Sequence, residues 1–186
     1  MPVAQTYGMT EACSQVATSA PGEPETAGRP LPGTRVEIGA DGELLVSGPT
    51  VAPGVAGPDG RLHTGDLGRL DEHGRLTVTG RLSELIVTGG ENVAPAEVEA
   101  VLLAHAAVAD AAVFGAPDPE WGEAVTALVV PRDGAPVDPA ALRAHCSAAL
   151  AGYRVPKSFI AVATVPRTAS GKILRGALAA APTATA

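Results

Sequence analysis

Short runs of alternating apolar and polar residues fill the first eighty positions of this chain, and longer apolar stripes fill the rest. Arg35 to Ile38 and Glu43 to Val46 alternate on either side of Ala40-Asp41-Gly42, where Asp-Gly is a strong signal for a tight hairpin turn. Gly68 to Leu70 and Leu76 to Val78 repeat the arrangement around Asp71-Glu72-His73-Gly74. From Pro21 to Gly33, proline and glycine are too frequent for a helix or a central strand, which predicts a structured loop. This part of the chain is expected to be β-strand and loop.

After Gly90 the period changes. Pro95 suits a first helical position, Glu97 and Glu99 sit near the positive end, and Val98, Val101 and Leu102 follow at helical spacing, which predicts a helix to about His105. Val108 to Phe114 and Ala124 to Val130 are expected strands, the second so continuously apolar that it should be buried on both faces. Asp138 caps a second expected helix with Pro139 in its first turn and an apolar stripe of Leu142, Cys146, Ala149 and Leu150. A third strand is expected over Ser158 to Val165, then a polar loop, a short helix near Ile173 to Leu178, and a frayed tail over 181–186. No internal repeat is evident. The fold class is α+β.

Composition narrows the function classes. A hydrophobic fraction of 46% over 186 residues fills one ordinary domain or two small ones. The formal net charge of −7 and the lack of a Lys/Arg run disfavour nucleic acid and anionic membrane as partners, so any anionic ligand must be held locally. An aromatic content of 3% argues against base-stacking platforms. Cys13 and Cys146 have no metal-type spacing with the four histidines, the first residues lack the basic and apolar regions of a signal peptide, and no apolar stretch approaches membrane-spanning length, so the expected setting is reducing and cytoplasmic.

The candidate chemistry begins with Pro166-Arg167-Thr168-Ala169-Ser170-Gly171-Lys172-Ile173-Leu174-Arg175, a small polar loop that carries one lysine. Lysine is a compact cation on a flexible stem, and a mobile loop can bring it to an anionic site and withdraw it. A phosphate-binding Walker A loop is excluded, because the upstream glycine is missing and Ile173, not Ser or Thr, follows Lys172. Four other segments stand upstream: Tyr7-Gly8-Met9-Thr10-Glu11; Gly42-Glu43-Leu44 with Gly48-Pro49; Thr64-Gly65-Asp66 in an expected tight turn; and Gly80-Arg81-Leu82-Ser83-Glu84 running to Thr88-Gly89-Gly90-Glu91-Asn92-Val93. Singly, each has a structural alternative: a helix cap at Thr10-Glu11, a turn aspartate at Asp66, a glycine hairpin with an exposed Arg81. His63 is either a neighbour of the site or a turn histidine. His73, His105 and His145 lack a paired nucleophile, so a Ser-His-Asp arrangement has no support. Trp121 is expected to anchor the loop between two strands.

In this order the five segments resemble the late motifs of the AMP-forming adenylating enzymes, the superfamily of acyl-CoA synthetases, luciferases and peptide-synthetase adenylation domains. The resemblance implies that Tyr7 lies against adenine beside Gly8, Thr10 contacts phosphate, and Glu11 helps hold Mg²⁺, tasks that suit a flat ring, a hydroxyl and a hard carboxylate. It implies that Asp66 accepts the ribose hydroxyls, that Arg81 contacts the nucleotide, and that Gly89 and Gly90 admit the pantetheine arm of coenzyme A. Lys172 matches the residue that bridges the attacking carboxylate and the α-phosphate. The Gly42-Glu43-Leu44 segment is structural in the family and is assigned no chemistry. Gln5 to Gln15 is most similar to the o-succinylbenzoate-CoA ligases of menaquinone biosynthesis.

Implied domains are a remnant of a large AMP-binding domain over 1–79, a hinge over 80–84 centred on Ser83, and a lid over 85–180 with a sheet flanked by helices. Ser83 departs from the Asp or Lys common at the hinge, and Pro49 to Arg61 is short and lacks the usual aromatics. A complete family member also carries an upstream phosphate loop and most of an acyl pocket, which this sequence lacks. The expected activity is ATP-dependent ligation of a small carboxylic acid to coenzyme A. The alternative is a non-catalytic fragment that binds nucleotide or coenzyme A weakly or docks on a separate large-domain subunit. An adenylation domain of a peptide synthetase is disfavoured because no carrier domain follows Leu178.

Overall fold

The computed structural model describes residues 1–23, 25–132 and 138–180, so the expected frayed tail lies outside the described residues. The chain divides into two compact units, Met1–Ser83 and the residues from Glu84 onward. The first unit is β and loop, as the alternating pattern predicts. Strands β1 (Thr6–Met9), β2 (Ser14–Thr18) and β3 (Arg29–Pro30) form one antiparallel sheet. The short β3 lies inside the stretch expected to be loop only. Strands β4 (Arg35–Ile38), β5 (Glu43–Ser47), β6 (Leu62–Leu70) and β7 (Leu76–Arg81) form a second sheet in sequential antiparallel order. Both expected hairpins form, with Gly42 and Gly74 supplying the positive φ of their turns. Val16, Val36, Leu44, Val46, Leu62 and Leu76 belong to one buried cluster that joins the two sheets.

The second unit is built on a sheet in the order β10 (Val108–Asp118), β11 (Gly122–Pro131), β8 (Ile86–Thr88), β9 (Glu91–Val93), with β12 (Ser158–Ala161) parallel to β11. Strand β11 is buried on both faces, as its continuous apolar run predicts. Val125, Ala127 and Val129 pack with Val98 and Leu102 of α1 (Pro95–Leu103) and with Leu142 and Cys146 of α2 (Pro139–Ala149). On the other face Leu128 and Val130 meet Val162, Val165 and Leu178. The sheet is thus covered by two α-helices on one side and by the C-terminal segment on the other.

Several boundaries differ from the sequence expectation. Helix α1 stops at Leu103, where i→i−3 bonds from Ala104 to Val101 and from His105 to Leu102 tighten the last turn. Asp138 caps α2 as expected, accepting the Ala140 N–H at 2.9 Å. Ala149 is nevertheless exposed, because Leu150 turns extended and carries the apolar stripe off the helix. Strand β12 ends at Ala161, short of Val165, because its parallel ladder with β11 closes at the Val129–Ala161 pair. The short C-terminal helix is a 3-10 helix over Arg175–Ala180, while Ile173 forms a β-bridge with Arg167. Among the described residues, no helix is long and apolar enough to cross a membrane.

Candidate functional site

In the first unit the Thr64-Gly65-Asp66 segment is not a turn between strands. It lies inside β6, where the ladder with β5 slips: Leu45 pairs with His63 but Glu43 pairs with Leu67. Residues left over on β6 form a bulge, and Gly65 supplies its positive φ of 69°. Side chains replace the missing ladder bonds. The Thr64 hydroxyl donates to the Leu44 carbonyl at 2.8 Å and accepts the Asp66 N–H at 3.0 Å. The Gly65 N–H donates to Glu43 Oε1 at 2.8 Å.

The bulge presents Asp66 to two neighbours far away in sequence. The Tyr7 hydroxyl on β1 donates to Asp66 Oδ2 at 2.8 Å, and Arg81 Nε, directly across on β7, donates to Oδ1 at 2.6 Å. Asp66 is only 6% exposed. Burial, and then the hydrogen bond to this carboxylate, push the Tyr7 phenol above its ordinary range, so it stays a neutral donor. Against these two donors, an ionised carboxylate offers about four lone-pair sites. Tyr7 also borders an open cleft of about 260 Å³ lined by Gln5, Thr26, Ala27 and Thr77.

Thr10 and Glu11 follow β1 on a 3-10 helix, Thr10–Ala12, and both are exposed. Gly8 sits where a Cβ would overlap the Ser14 carbonyl, so β1 and β2 can close only over glycine. Among the described residues, no group of three His, Cys, Asp or Glu could hold a metal by itself. Glu11 presents a single exposed carboxylate.

In the second unit Lys172 is exposed on a turn with defined bonds. The Thr168 N–H donates to the Lys172 carbonyl at 2.8 Å, and the Lys172 N–H reaches the Thr168 hydroxyl at 3.2 Å. Arg167 spans the turn, donating to the Gly171 carbonyl at 2.8 Å while pairing with Asp110 at 2.7 Å. Three residues beyond Lys172, Arg175 pairs with Glu84 at 2.6 Å and with the buried Glu99 at 2.7 Å. Gly89 and Gly90 form the β8–β9 turn with φ of 58° and 85°, which is the glycine-hairpin alternative for this segment. Gly89 donates to the Trp121 carbonyl at 2.9 Å and lies against the indole, over which Lys157 Nζ sits 3.8 Å from the ring centroid. Ser83 is the last residue of the first unit, within a 3-10 helix spanning Leu82–Glu84.

The fold therefore gathers Tyr7, Asp66 and Arg81 into one cluster, while Lys172, Gly89 and Gly90 belong to the other unit. His63 is on β6, not in a turn, with Nδ1 at 2.8 Å from Glu43 and Nε2 at 3.2 Å from Asp59. Glu43, assigned no chemistry from sequence, holds the bulge. Its signal was a carboxylate at the head of an otherwise apolar strand, in Glu43-Leu44-Leu45-Val46. Of the remaining histidines, His105 and His145 pack edge to face with ring centroids 5.0 Å apart.

The model of the AMP-binding enzyme family matches residues 1–55, and that of the AMP-binding enzyme C-terminal domain matches 97–172. The 2-succinylbenzoate–CoA ligase of Bacillus licheniformis is 44% identical over 94% of this chain and 41% of its own length. That of Bacillus subtilis is 42% identical over 95% of this chain and 40% of its own. The chain thus spans about two fifths of the curated relatives it matches. Among solved structures, the Bacillus subtilis o-succinylbenzoate CoA synthetase in complex with its acyl-adenylate intermediate superposes with a TM-score of 0.85 at 40% identity, covering 100% of this chain and 43% of that one. ATP-bound MatB from Rhodopseudomonas palustris gives 0.82 at 34% identity, over 92% and 39%. With both family models matched in order and relatives this similar along nearly its whole length, the chain belongs to the AMP-binding enzyme family.

Proposed function

We propose that this chain works in an ATP-dependent, AMP-forming ligation of a carboxylic acid to coenzyme A, with o-succinylbenzoate as the acid. In the first step a carboxylate oxygen attacks the α-phosphorus of ATP, the bond to pyrophosphate breaks, and an acyl-adenylate forms. In the second the coenzyme A thiol, losing its proton, attacks the acyl carbon and AMP leaves. Asp66 takes the ribose hydroxyls on its remaining lone pairs, Tyr7 borders the adenine, and Arg81 contacts the nucleotide. Thr10 donates to phosphate, Glu11 contributes a carboxylate to Mg²⁺, and Lys172 stabilises the charge that develops between the carboxylate and the α-phosphate. Gly89 and Gly90 give the pantetheine arm a close backbone approach, and Ser83 is the hinge.

The observation that carries this reading is the buried Asp66, oriented by Tyr7 and Arg81 yet with lone pairs to spare. The choice of acid rests on what the similar ligases are named for and on the acyl-adenylate held by one of them. The test is to incubate the protein with ATP, Mg²⁺, o-succinylbenzoate and coenzyme A and to follow pyrophosphate release and thioester formation. Turnover that needs the acid and disappears in Lys172→Ala supports the ligase. Nucleotide binding without turnover under these conditions removes the catalytic assignment and leaves a nucleotide-binding chain.

A further inference from the structure

The β6 bulge that presents Asp66 depends on a carboxylate with no assigned role. Glu43 is only 7% exposed, and both its oxygens are committed, Oε1 to the Gly65 N–H and Oε2 to His63 Nδ1, each at 2.8 Å. His63 Nε2 faces a second carboxylate, Asp59, at 3.2 Å. Ionised carboxylates only accept hydrogen bonds, and a neutral imidazole has one N–H to give. Both contacts are satisfied together only by the imidazolium.

We infer that Glu43 is a positioning residue for Asp66, supplying through Gly65 the hydrogen bond the bulge lacks, and that the imidazolium of His63 fixes its carboxylate. The functional half of this inference rests on the proposal that Asp66 binds ribose. The groups facing His63 are Glu43 from β5 and Asp59 from the loop before β6. Beyond them Arg61 pairs with Asp59 at 2.7 Å and reaches Glu37 on β4 at 3.4 Å. The hydrogen bond to Glu43, then that to Asp59, hold the His63 pKa above its ordinary value. A raised folded-state pKa means the contacts are fully made below about pH 6.5 and are lost as the pH rises through the raised value. With half of the His63 side chain open to solvent, proton exchange is unhindered. Deprotonation removes the positive charge that holds Glu43 and leaves one N–H for which Glu43 and Asp59 compete, which loosens Glu43 and, through Gly65, Asp66.

Two measurements on the whole chain test this. The first is a ligand-free NMR titration of the His63 ring and the Gly65 amide from about pH 6 to about pH 9. The Gly65 amide should move with the His63 midpoint, and His63→Gln should abolish that movement. The second is the affinity for AMP and for 2′,3′-dideoxy-AMP. Glu43→Ala, which leaves the Gly65 N–H unpaired, should weaken AMP about tenfold. Glu43→Gln keeps an acceptor and the side-chain shape, so it should weaken AMP only about threefold and flatten the pH dependence. It also keeps the test open if Glu43→Ala does not fold. Wild-type AMP affinity should fall with rising pH, whereas dideoxy-AMP affinity should respond to neither variant. A Gly65 amide that ignores His63, or AMP affinity unchanged in both Glu43 variants, overturns the inference. Equal wild-type affinity for the two nucleotides overturns the ribose assignment instead, and the positioning of the bulge is then decided by the Gly65 amide alone.

Discussion

Replacing Gly89 by alanine should damage the second unit far more than the same change one residue later. Gly89 and Gly90 both have positive φ, at 58° and 85°, so a Cβ at either costs about 1–2 kcal/mol in backbone strain. Around Gly90 no described atom beyond its own chain neighbours lies within 4 Å of the added carbon. At Gly89 the carbon would lie 2.8 Å from Trp121 Cε3 and 3.1 Å from Cζ3, closer than packed carbons come. The indole cannot move without disturbing the Gly89–Trp121 backbone bond or the Lys157 ammonium against its ring. Overpacking of this kind adds about 1–3 kcal/mol. Urea unfolding followed by far-UV circular dichroism should therefore give a loss of about 1–2 kcal/mol for Gly90→Ala and about 2–5 kcal/mol for Gly89→Ala. In a Trp121→Ala background the difference should vanish, because the clash is gone. Trp121 is the single tryptophan, so its emission should also shift in Gly89→Ala and not in Gly90→Ala. Equal losses in both variants, or a difference that survives removal of the indole, would refute the reasoning.

Other consequences follow from particular contacts. Glu99 is buried and accepts from both the Val113 N–H and Arg175, so Glu99→Ala should cost about 3 kcal/mol in chemical denaturation by leaving those donors unpaired. The backbone N–H of Arg75, and then its side chain, hold the Asp71 pKa down to about 2. The stability from this hairpin contact is thus complete above the ordinary Asp range and lost as the pH falls through about 2. In Arg75→Gln the Asp71 carboxyl, followed by NMR, should titrate higher but still below an ordinary Asp, since the backbone bond remains. Tyr7→Phe should bring no new ionisation and should weaken AMP severalfold, because Asp66 loses one of the two donors that orient it.

Much of the local structure was legible from residue pattern, and the site was not. Asp-Gly between alternating runs marks the β4–β5 hairpin without tertiary information. The near-continuous Ala124–Val130 run could only be a strand covered on both faces, or a buried helix too short to stand. The Thr64-Gly65-Asp66 bulge was misplaced because a bulge is a property of the pair of strands, and Gly65 signals a turn equally well. Tyr7 and Asp66 are 59 positions apart, and no spacing rule brings them within a hydrogen bond; only the ordered likeness to adenylating enzymes pointed to both. Glu43 was hidden for a related reason: its worth lies in the unpaired N–H of a neighbouring strand. Lys172 was expected on a small polar loop, and its turn is closed by backbone bonds and spanned by Arg167, contacts that no residue spacing announces.

The central claim is that the Tyr7–Asp66–Arg81 cluster is a ribonucleotide site, and titration calorimetry of the chain with AMP tests it most directly. The account predicts saturable binding that weakens about tenfold or more when the ribose diol is removed and, to a similar degree, in Asp66→Asn with the fold intact by circular dichroism. Affinity unchanged by both the missing diol and Asp66→Asn would contradict it.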